Sequence, residues 1–210
     1  MRIGILALQG DIQAHARVLD RLGCSAREVR RASELDELQG LILPGGESTT
    51  MWHFLTEEGL ATALRTFAAA GGALFGTCAG AILLAREVLH PPGPALGVLD
   101  IIVQRNGWGR QTMSRVETAR TDDPERPQIE ALLIRAPRIL HAGPGVRVRA
   151  WLGDEPVWVE EGCAMATTFH PELSDDLRVH QRFLQLAAAA PQFAPDAAPG
   201  AAPHATRPTR

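Results

Sequence analysis

The chain has 210 residues, which is enough for a single domain with a complete hydrophobic core. Its 24 acidic and 21 basic side chains give a net charge of −3, which argues against a nucleic-acid-binding surface. Every basic residue is arginine, so the chain has no lysine amine that could form an imine with a carbonyl compound. These bulk properties exclude Schiff-base chemistry and disfavour nucleic acid as a partner.

The cysteine content and the apolar runs indicate the compartment. Cys24, Cys78 and Cys163 are too few for a disulfide framework, and no Cys/His cluster predicts a metal site. The N-terminal run RIGILAL meets QGD without a small-residue cleavage site, which favours a buried strand over a signal peptide. No apolar stretch approaches the roughly 20 residues that span a bilayer. We therefore expect a cytoplasmic protein without membrane contacts or a metal.

The first half of the chain alternates short apolar runs with helical patterns. One helix is predicted from Asp11, a candidate N-cap, to Gly23, and another over 57–72. The predicted strands are the apolar segments 2–8, 24–30, 38–48 and 73–75. Strands that alternate with helices at this spacing indicate a mostly parallel sheet flanked by helices on both faces.

The pattern changes after residue 98. Six strand-like runs follow with little helix between them, namely 98–105, 114–119, 131–137, 146–152, 157–162 and 163–169. We interpret them as an added, partly antiparallel section that ends in a helix over about 174–188. Residues 189–210 are rich in Ala and Pro and bury too little apolar surface to become ordered. The predicted organisation is an α/β domain over 1–188 and a disordered tail over 189–210.

The segment GTCAGAILLA places Cys78 between Gly76 and Gly80, where a predicted strand meets a helix-forming run. This is the pattern of a nucleophile elbow with cysteine in the serine position. The glycines leave room for a strained turn, and the helix N-terminus favours a thiolate. The N–H of Ala79 would point at the oxyanion of an attacked carbonyl. The alternative is that Cys78 is a small core residue, since cysteine is often fully buried.

Two further segments carry polar groups that suit this chemistry. LPGGEST ends a buried strand with consecutive glycines, whose N–H groups can line an oxyanion loop; alternatively, it is a turn in which Ser48 caps the next helix. TTFHPEL ends a strand with His170, and Glu172 follows within reach of its ring, as in a Cys-His-carboxylate triad. Alternatively, His170 only ends the strand and Glu172 precedes the last helix. The three segments together favour catalysis.

These motifs resemble the class I, triad-type glutamine amidotransferases. The segments LALQGD, LILPGGEST, GTCAGAILLA and TTFHPEL match that pattern. RNGWGRQ and LLIRAP narrow the resemblance to the glutaminase subunits of pyridoxal 5′-phosphate synthase. The resemblance extends from Met1 to about Leu186. It implies a flavodoxin-like, three-layer fold.

The resemblance also assigns roles to individual residues. It makes Cys78 the nucleophile, His170 the base and Glu172 its partner. The backbone N–H groups of Gly46 and Ala79 would hold the oxyanion. Cationic and carboxylate side chains suit the charged ends of an amino acid substrate. The implied glutamine-binding residues are Gly46, Glu47, Ser48, Arg105, Ile134 and Arg135.

The implied reaction is hydrolysis of L-glutamine to glutamate and ammonia, without a cofactor or a metal. In this family the ammonia goes to a synthase subunit, a (β/α)8 barrel whose oligomeric core carries the glutaminase subunits. The glutaminase alone is poorly active in this family. Two alternatives stay open: a glutaminase subunit of another triad amidotransferase, and a non-catalytic partner subunit.

Two positions depart from the family pattern. Ala14 precedes His15 where an acid is common, at an end of the molecule associated with docking to the synthase subunit, and Trp108 replaces the usual Phe. Neither change touches the predicted triad. The histidines without a predicted role are expected at the surface or at the ends of elements: His53, His90, His141 and His180.

Overall fold

The computed structural model describes residues 1–57, 59–107 and 115–190. Trp108 and residues 191–210 of the predicted tail lie outside these ranges. The helices are α1 Ile12–Arg21, α2 Ser48–Glu57, α3 Leu60–Ala69, α4 Ala79–Leu84 and α5 Arg178–Ala189. The strands are β1 Ile3–Leu6, β2 Ala26–Val29, β3 Gly40–Leu43, β4 Ala73–Thr77, β5 Ala85–Leu89, β6 Leu99–Gln104, β7 Arg115–Thr121, β8 Gln128–Leu133, β9 Arg138–Ala142, β10 Arg147–Leu152, β11 Glu155–Glu161 and β12 Ala164–Thr167.

The main sheet has nine strands in the order β2-β1-β3-β4-β12-β11-β10-β7-β8. The first five pair in parallel, which is the strand order of flavodoxin-like sheets. From β12 outward, each strand pairs antiparallel with the next. The predicted combination of a mostly parallel sheet with an antiparallel section is confirmed.

Helices cover both faces of the parallel half because neighbouring strand residues point to opposite sides. Leu41 and Leu74 pack into the cluster that contains the apolar side chains of α2, α3 and α4. Ile42 and Phe75 pack into the cluster that contains those of α1 and α5. Burial on both faces explains why these strands are continuous apolar runs in the sequence. No helix within the described ranges is long and apolar enough to cross a membrane.

A second, three-stranded sheet has the order β5-β6-β9 and packs against the α2–α4 side. The sequence predicted β6 but neither β5 nor β9. Residues 79–89 form one helix-compatible run, yet the chain becomes extended at Ala85, where ψ is 155°. Pairing of β5 with β6 supplies the reason, because a strand is stabilised by its neighbours more than by its own propensity.

Several boundaries differ from the prediction, and two of the differences have a clear local cause. The run 131–137 is not a single strand: β8 ends at Leu133, and Arg135 adopts a left-handed φ of 46°, which breaks the extended run. The last helix begins at Arg178 rather than near Ser174. Ser174 Oγ accepts a hydrogen bond from the Asp176 N–H at 3.1 Å, and Asp176 Oδ1 accepts one from the Arg178 N–H at 3.0 Å. These side chains hold a turn before the helix.

The start of α4 lies very close to β3 and β4. A Cβ on Gly80 would lie 2.0 Å from the carbonyl oxygen of Leu43. A Cβ on Gly76 would lie 2.5 Å from the carbonyl carbon and oxygen of Gly80. Both contacts are with backbone atoms, which cannot move aside without shifting a strand or a helix. The close packing of this turn therefore requires both glycines that flank Cys78.

Replacing Gly80 by Ala should lower the free energy of unfolding by about 3 kcal/mol, the upper end of the usual cost of overpacking. Urea denaturation followed by circular dichroism measures this change. Gly93→Ala is the matched control, because a Cβ there would meet its nearest atom, Arg105 Nη1, at an ordinary 3.5 Å. That variant should change stability by less than about 0.5 kcal/mol. Equal stabilities for the two variants would contradict the packing argument.

Candidate active site

Cys78 lies at the turn between β4 and α4, where its backbone adopts φ 48° and ψ −100°. A positive φ in a residue other than glycine is strained, and such strain is concentrated at functional sites. The Cys78 N–H donates to the carbonyl oxygen of Thr167 at 2.9 Å. The thiol lies 3.7 Å from the carbonyl oxygen of Ile134. The end of β12 and the segment after β8 therefore hold the cysteine from two sides.

His170 and Glu172 come from the segment that follows β12. A 3-10 turn over Pro171–Leu173 folds Glu172 back against the imidazole, and His170 Nδ1 donates to Glu172 Oε1 at 2.7 Å. A Cβ on Gly45 would lie 2.6 Å from His170 Cε1 and 3.6 Å from Cys78 Cβ. The glycine loop after β3, the cysteine and the imidazole therefore meet at one point.

The surroundings of His170 and Glu172 favour the charged form of both side chains. Burial by itself lowers the pKa of His170, but its interactions with the adjacent Cys78 and Glu172 raise it to about 10. Burial likewise favours a neutral Glu172, but His15 and the hydrogen bond from His170 lower the pKa of that carboxyl. An imidazolium next to a thiol is the environment that stabilises a reactive thiolate.

A cleft of about 220 Å³ opens beside Cys78. Glu172 does not line it, since the carboxylate lies behind His170 and the residue is 5% exposed. The other predicted site residues all line the cleft: Gly46, Glu47, Ser48, Cys78, Ala79, Arg105, Ile134, Arg135 and His170. The structure thus brings together residues that are spread over more than half of the chain.

Two arginines stand at the cleft. Arg135 Nη1 donates to Glu47 Oε1 at 3.0 Å, and Arg105 Nη2 donates to Thr49 Oγ1 at 2.7 Å. A guanidinium has five N–H donors, so one such bond does not saturate it. The cleft therefore offers the Arg105 and Arg135 cations and the Glu47 carboxylate near the cysteine, which suits a zwitterionic ligand.

Sequence reasoning missed Asp11, Ile82 and Asn106, which also line the cleft. Asp11 was expected as an N-cap, but its side chain makes no capping hydrogen bond to α1. Asp11 follows QG in the loop after β1, and this position in the sequence contained a usable signal. The carboxyl ends of neighbouring parallel strands meet at one edge of a sheet, and β1 pairs with β3.

Asp11 also bears on the question of a metal. Within the described ranges, one group of potential metal ligands has its ligand atoms within 4.8 Å of one another: Asp11, His170 and Glu172. His170 and Glu172 already bond to each other, so we interpret them as a base and its acid rather than as a metal site. The expectation that the chain binds no metal stays a prediction.

Comparison with known proteins gives a consistent assignment. Residues 5–188 match the model of the SNO glutamine amidotransferase family. The pyridoxal 5′-phosphate synthase subunit PdxT of Deinococcus radiodurans is 52% identical over 195 residues, which cover 89% of this chain and 97% of that protein. The protein of the same name from Thermus thermophilus is 49% identical, over 88% of this chain and 97% of its own length.

Solved structures agree with the sequence match. A crystal structure of glutamine amidotransferase superposes with a TM-score of 0.83 at 46% sequence identity, covering 89% of this chain and 98% of that chain. PurLQS from Thermotoga maritima shares the fold at 18% identity, with a TM-score of 0.67 over 88% of this chain and 97% of its own. The expected glutamine amidotransferase fold is confirmed. The chain belongs to the SNO glutamine amidotransferase family.

Proposed function

We propose that the chain is the glutaminase subunit of a pyridoxal 5′-phosphate synthase, which hydrolyses L-glutamine and passes the ammonia to a synthase subunit. Two relatives that are named pyridoxal 5′-phosphate synthase subunit PdxT support this assignment, because the match to this chain covers 97% of the length of each. The observation that carries the chemistry is the His170–Glu172 hydrogen bond directly beside the strained Cys78. A buried base that is oriented by a carboxylate next to a cysteine suits acyl transfer.

In the first half-reaction, the Cys78 thiolate attacks the side-chain carboxamide carbon of L-glutamine. The carbon–nitrogen bond then breaks, and the His170 imidazolium gives its proton to the leaving nitrogen, which departs as ammonia. A γ-glutamyl thioester remains on Cys78. His170, now neutral, takes a proton from water as the water oxygen attacks the thioester. Collapse of that intermediate expels the thiolate, and the acid product ionises to glutamate.

Backbone N–H groups of Ala79 and Gly46 would hold the oxyanion in both half-reactions. Ala79 is the first residue of α4, so its N–H has no partner within the helix. Gly46 has a φ of 155° and belongs to the glycine loop that meets His170 and Cys78. Each such donor lowers the barrier by about 3 kcal/mol when it is correctly placed.

The cleft residues assign an orientation to the substrate. Arg105 and Arg135 would bind the α-carboxylate of glutamine, and Glu47 would bind the α-ammonium. Ser48, Gly46 and Ile134 would line the path along which the side chain reaches Cys78. Both arginines already have partners in Thr49 and Glu47, which fix the direction of their guanidinium groups.

The chemistry of ammonia, the product, explains why a second protein would receive it. Ammonia is a nucleophile only while it is unprotonated, so direct transfer to a second protein preserves it. The chain has no lysine, and imine chemistry on sugar phosphates would therefore belong to the synthase subunit, a (β/α)8 barrel. We place this complex in the cytoplasm. The glutaminase domain was predicted over 1–188, but α5 includes Ala189 and Ala190 is buried, so the segment proposed as dispensable is 191–210 of the predicted tail over 189–210.

Replacing Cys78 by Ala removes the nucleophile and leaves the size of the elbow nearly unchanged. The rate of glutamate release, measured with the synthase subunit present, should fall at least about 10⁴-fold. Thermal unfolding should stay close to that of the unmodified chain. Cys163→Ala, which changes a half-buried cysteine outside the cleft, is the control and should keep full activity. Glutamine hydrolysis that survives in Cys78→Ala would refute the assignment.

Addition of the synthase subunit should raise glutamate release about tenfold or more, because docking would set the flexible Gly45–Gly46 loop in its active conformation. The synthase component of an unrelated amidotransferase is the control and should have no effect. Robust hydrolysis without stimulation would keep Cys78 as the nucleophile but favour another triad amidotransferase. A lack of hydrolysis in both conditions would favour a non-catalytic partner subunit.

A further inference from the structure

Two buried histidines lie behind the His170–Glu172 pair, on the side away from the cleft. His15 comes from α1 and His180 from α5, and both are 0% exposed. His180 was expected at the surface or at the end of an element; it lies in the first turn of α5, but it is buried rather than at the surface. The inner face of α5 packs on β4, and the His180 ring meets the ring of Phe75 edge-on, with centroids 5.5 Å apart.

His15 connects this second pair of histidines to the catalytic segment. Its Nδ1 lies 2.9 Å from His180 Nε2. Its Nε2 lies 3.3 Å from Thr77 Oγ1 and 3.6 Å from Glu172 Oε1. Thr77 directly precedes Cys78 in the chain, so one imidazole contacts the residue before the cysteine and the carboxylate behind the base.

Burial favours the neutral form of both rings, which limits where their protons lie. Burial lowers the pKa of His15, although Glu172 opposes that effect. Burial, and then His15, lower the pKa of His180 to about 3. A neutral imidazole carries one N–H and one lone pair, so the 2.9 Å contact between the rings is a single directed hydrogen bond.

The surroundings fix the direction of that bond. His180 Nδ1 has no hydrogen-bond partner among the described residues. If the His180 proton were on Nδ1, that buried N–H would have no acceptor. His15 would then have to donate from its Nδ1, and the lone pair on its Nε2 would face the Glu172 carboxylate. We therefore assign the proton to His180 Nε2, from which it is donated to His15 Nδ1. The His15 proton then lies on Nε2, where it faces Thr77 and Glu172.

Several charged groups act on Glu172 from the elements around it. Asp11, at the start of α1, has its carboxylate within 4.8 Å of the ligand atoms of His170 and Glu172 and opposes a second negative charge. His170 supports that charge from the cleft side, with Cys78 beyond it. Glu172 Oε2 has no hydrogen-bond partner within the described ranges, so the groups at Oε1 provide the support.

We propose that His15, oriented by His180, is a positioning residue that keeps Glu172 ionised behind His170 and thereby extends the pH range of the cysteine–histidine pair on the acidic side. The inference rests on the proposed function, since it needs Cys78, His170 and Glu172 to act as a triad. His15 does not touch the substrate. It acts through Glu172 and, by way of Thr77, on the backbone next to Cys78.

The proposal predicts a specific change of the pH–rate profile in His15→Leu. Without the His15 N–H, Glu172 takes up a proton at higher pH, so the acidic limb of the kcat/KM profile moves to higher pH. At the alkaline limb Glu172 is ionised with or without His15, so its support of the His170 proton persists and that limb should stay in place. The acidic limb should move by about one pH unit, which is a tenfold loss of kcat/KM on that side.

His15→Gln separates this electrostatic role from simple packing. The Gln side-chain amide can place an N–H near the position of the imidazole Nε2, so the profile should recover most of its width. His180→Leu keeps the His15 ring but frees its tautomer, and should narrow the profile in the same direction by a smaller amount. His141→Leu, an exposed histidine on β9, is the control and should leave both limbs unchanged.

The experiment measures glutamate release against pH for these four variants and the unmodified chain, each with the synthase subunit. The pH dependence of Cys78 alkylation by iodoacetamide, resolved by peptide mass spectrometry, gives a second readout that needs no partner. A narrower profile in His15→Leu with recovery in His15→Gln is the expected result. If His15→Leu does not fold, the same comparison is made with His180→Leu.

The outcomes separate the two proposals. An unmodified chain that fails to hydrolyse glutamine with its partner would overturn the proposed function. If the unmodified chain is active and a folded His15→Leu or His180→Leu variant has an unchanged pH–rate profile, only the role of His15 is overturned. A profile in His15→Gln as narrow as that of His15→Leu would also overturn it, because packing alone would then explain the loss.

Discussion

The parallel pairing of β3, β4 and β12 is the constraint on which the site depends. Their registers align Leu43 with Gly76, and Thr77 with Thr167, so three loops leave the sheet at the same edge. One loop carries the double glycine, the next carries Cys78, and the third carries His170. Backbone contact between Gly80 and β3 then presses α4 onto the sheet and fixes the turn at the cysteine. The site is assembled by strand order rather than by any single loop.

The two faces of the main sheet are covered by different kinds of side chain. The face towards α2, α3 and α4 is an almost wholly apolar cluster that continues into the smaller sheet. The face towards α1 and α5 also carries apolar contacts, but it encloses His15 and His180 beside the Glu172 carboxylate. Burial of these polar groups is tolerated because it favours neutral histidines, which bond to each other, and because Glu172 is bonded to His170. The same contacts thus stabilise the fold and orient the groups of the proposed reaction.

The sequence was sufficient for the parts of the molecule that local patterns encode. Continuous apolar runs predicted the parallel strands, and the glycines around Cys78 predicted the tight turn between β4 and α4. The strand β5 was missed because its residues favour a helix and only pairing with β6 makes them extended. The burial of His180, which was expected at the surface or at the end of an element, was missed because the inner face of α5 is defined by its packing on β4, which one short polar-rich stretch does not reveal. Asp11 was read as a helix cap, since local spacing does not encode its distance to His170.

The central claim is that Cys78 attacks the side-chain carbonyl of glutamine. A glutamine analogue with a chloroketone in place of the carboxamide tests it most directly, because only a thiolate at the correct point of the cleft displaces its chloride. With the synthase subunit present, we predict complete inactivation by one equivalent, modification of Cys78 in the peptide mass spectrum, and protection by L-glutamine. Inactivation with the label on Cys24 or Cys163, or full activity with Cys78 modified, would contradict the account.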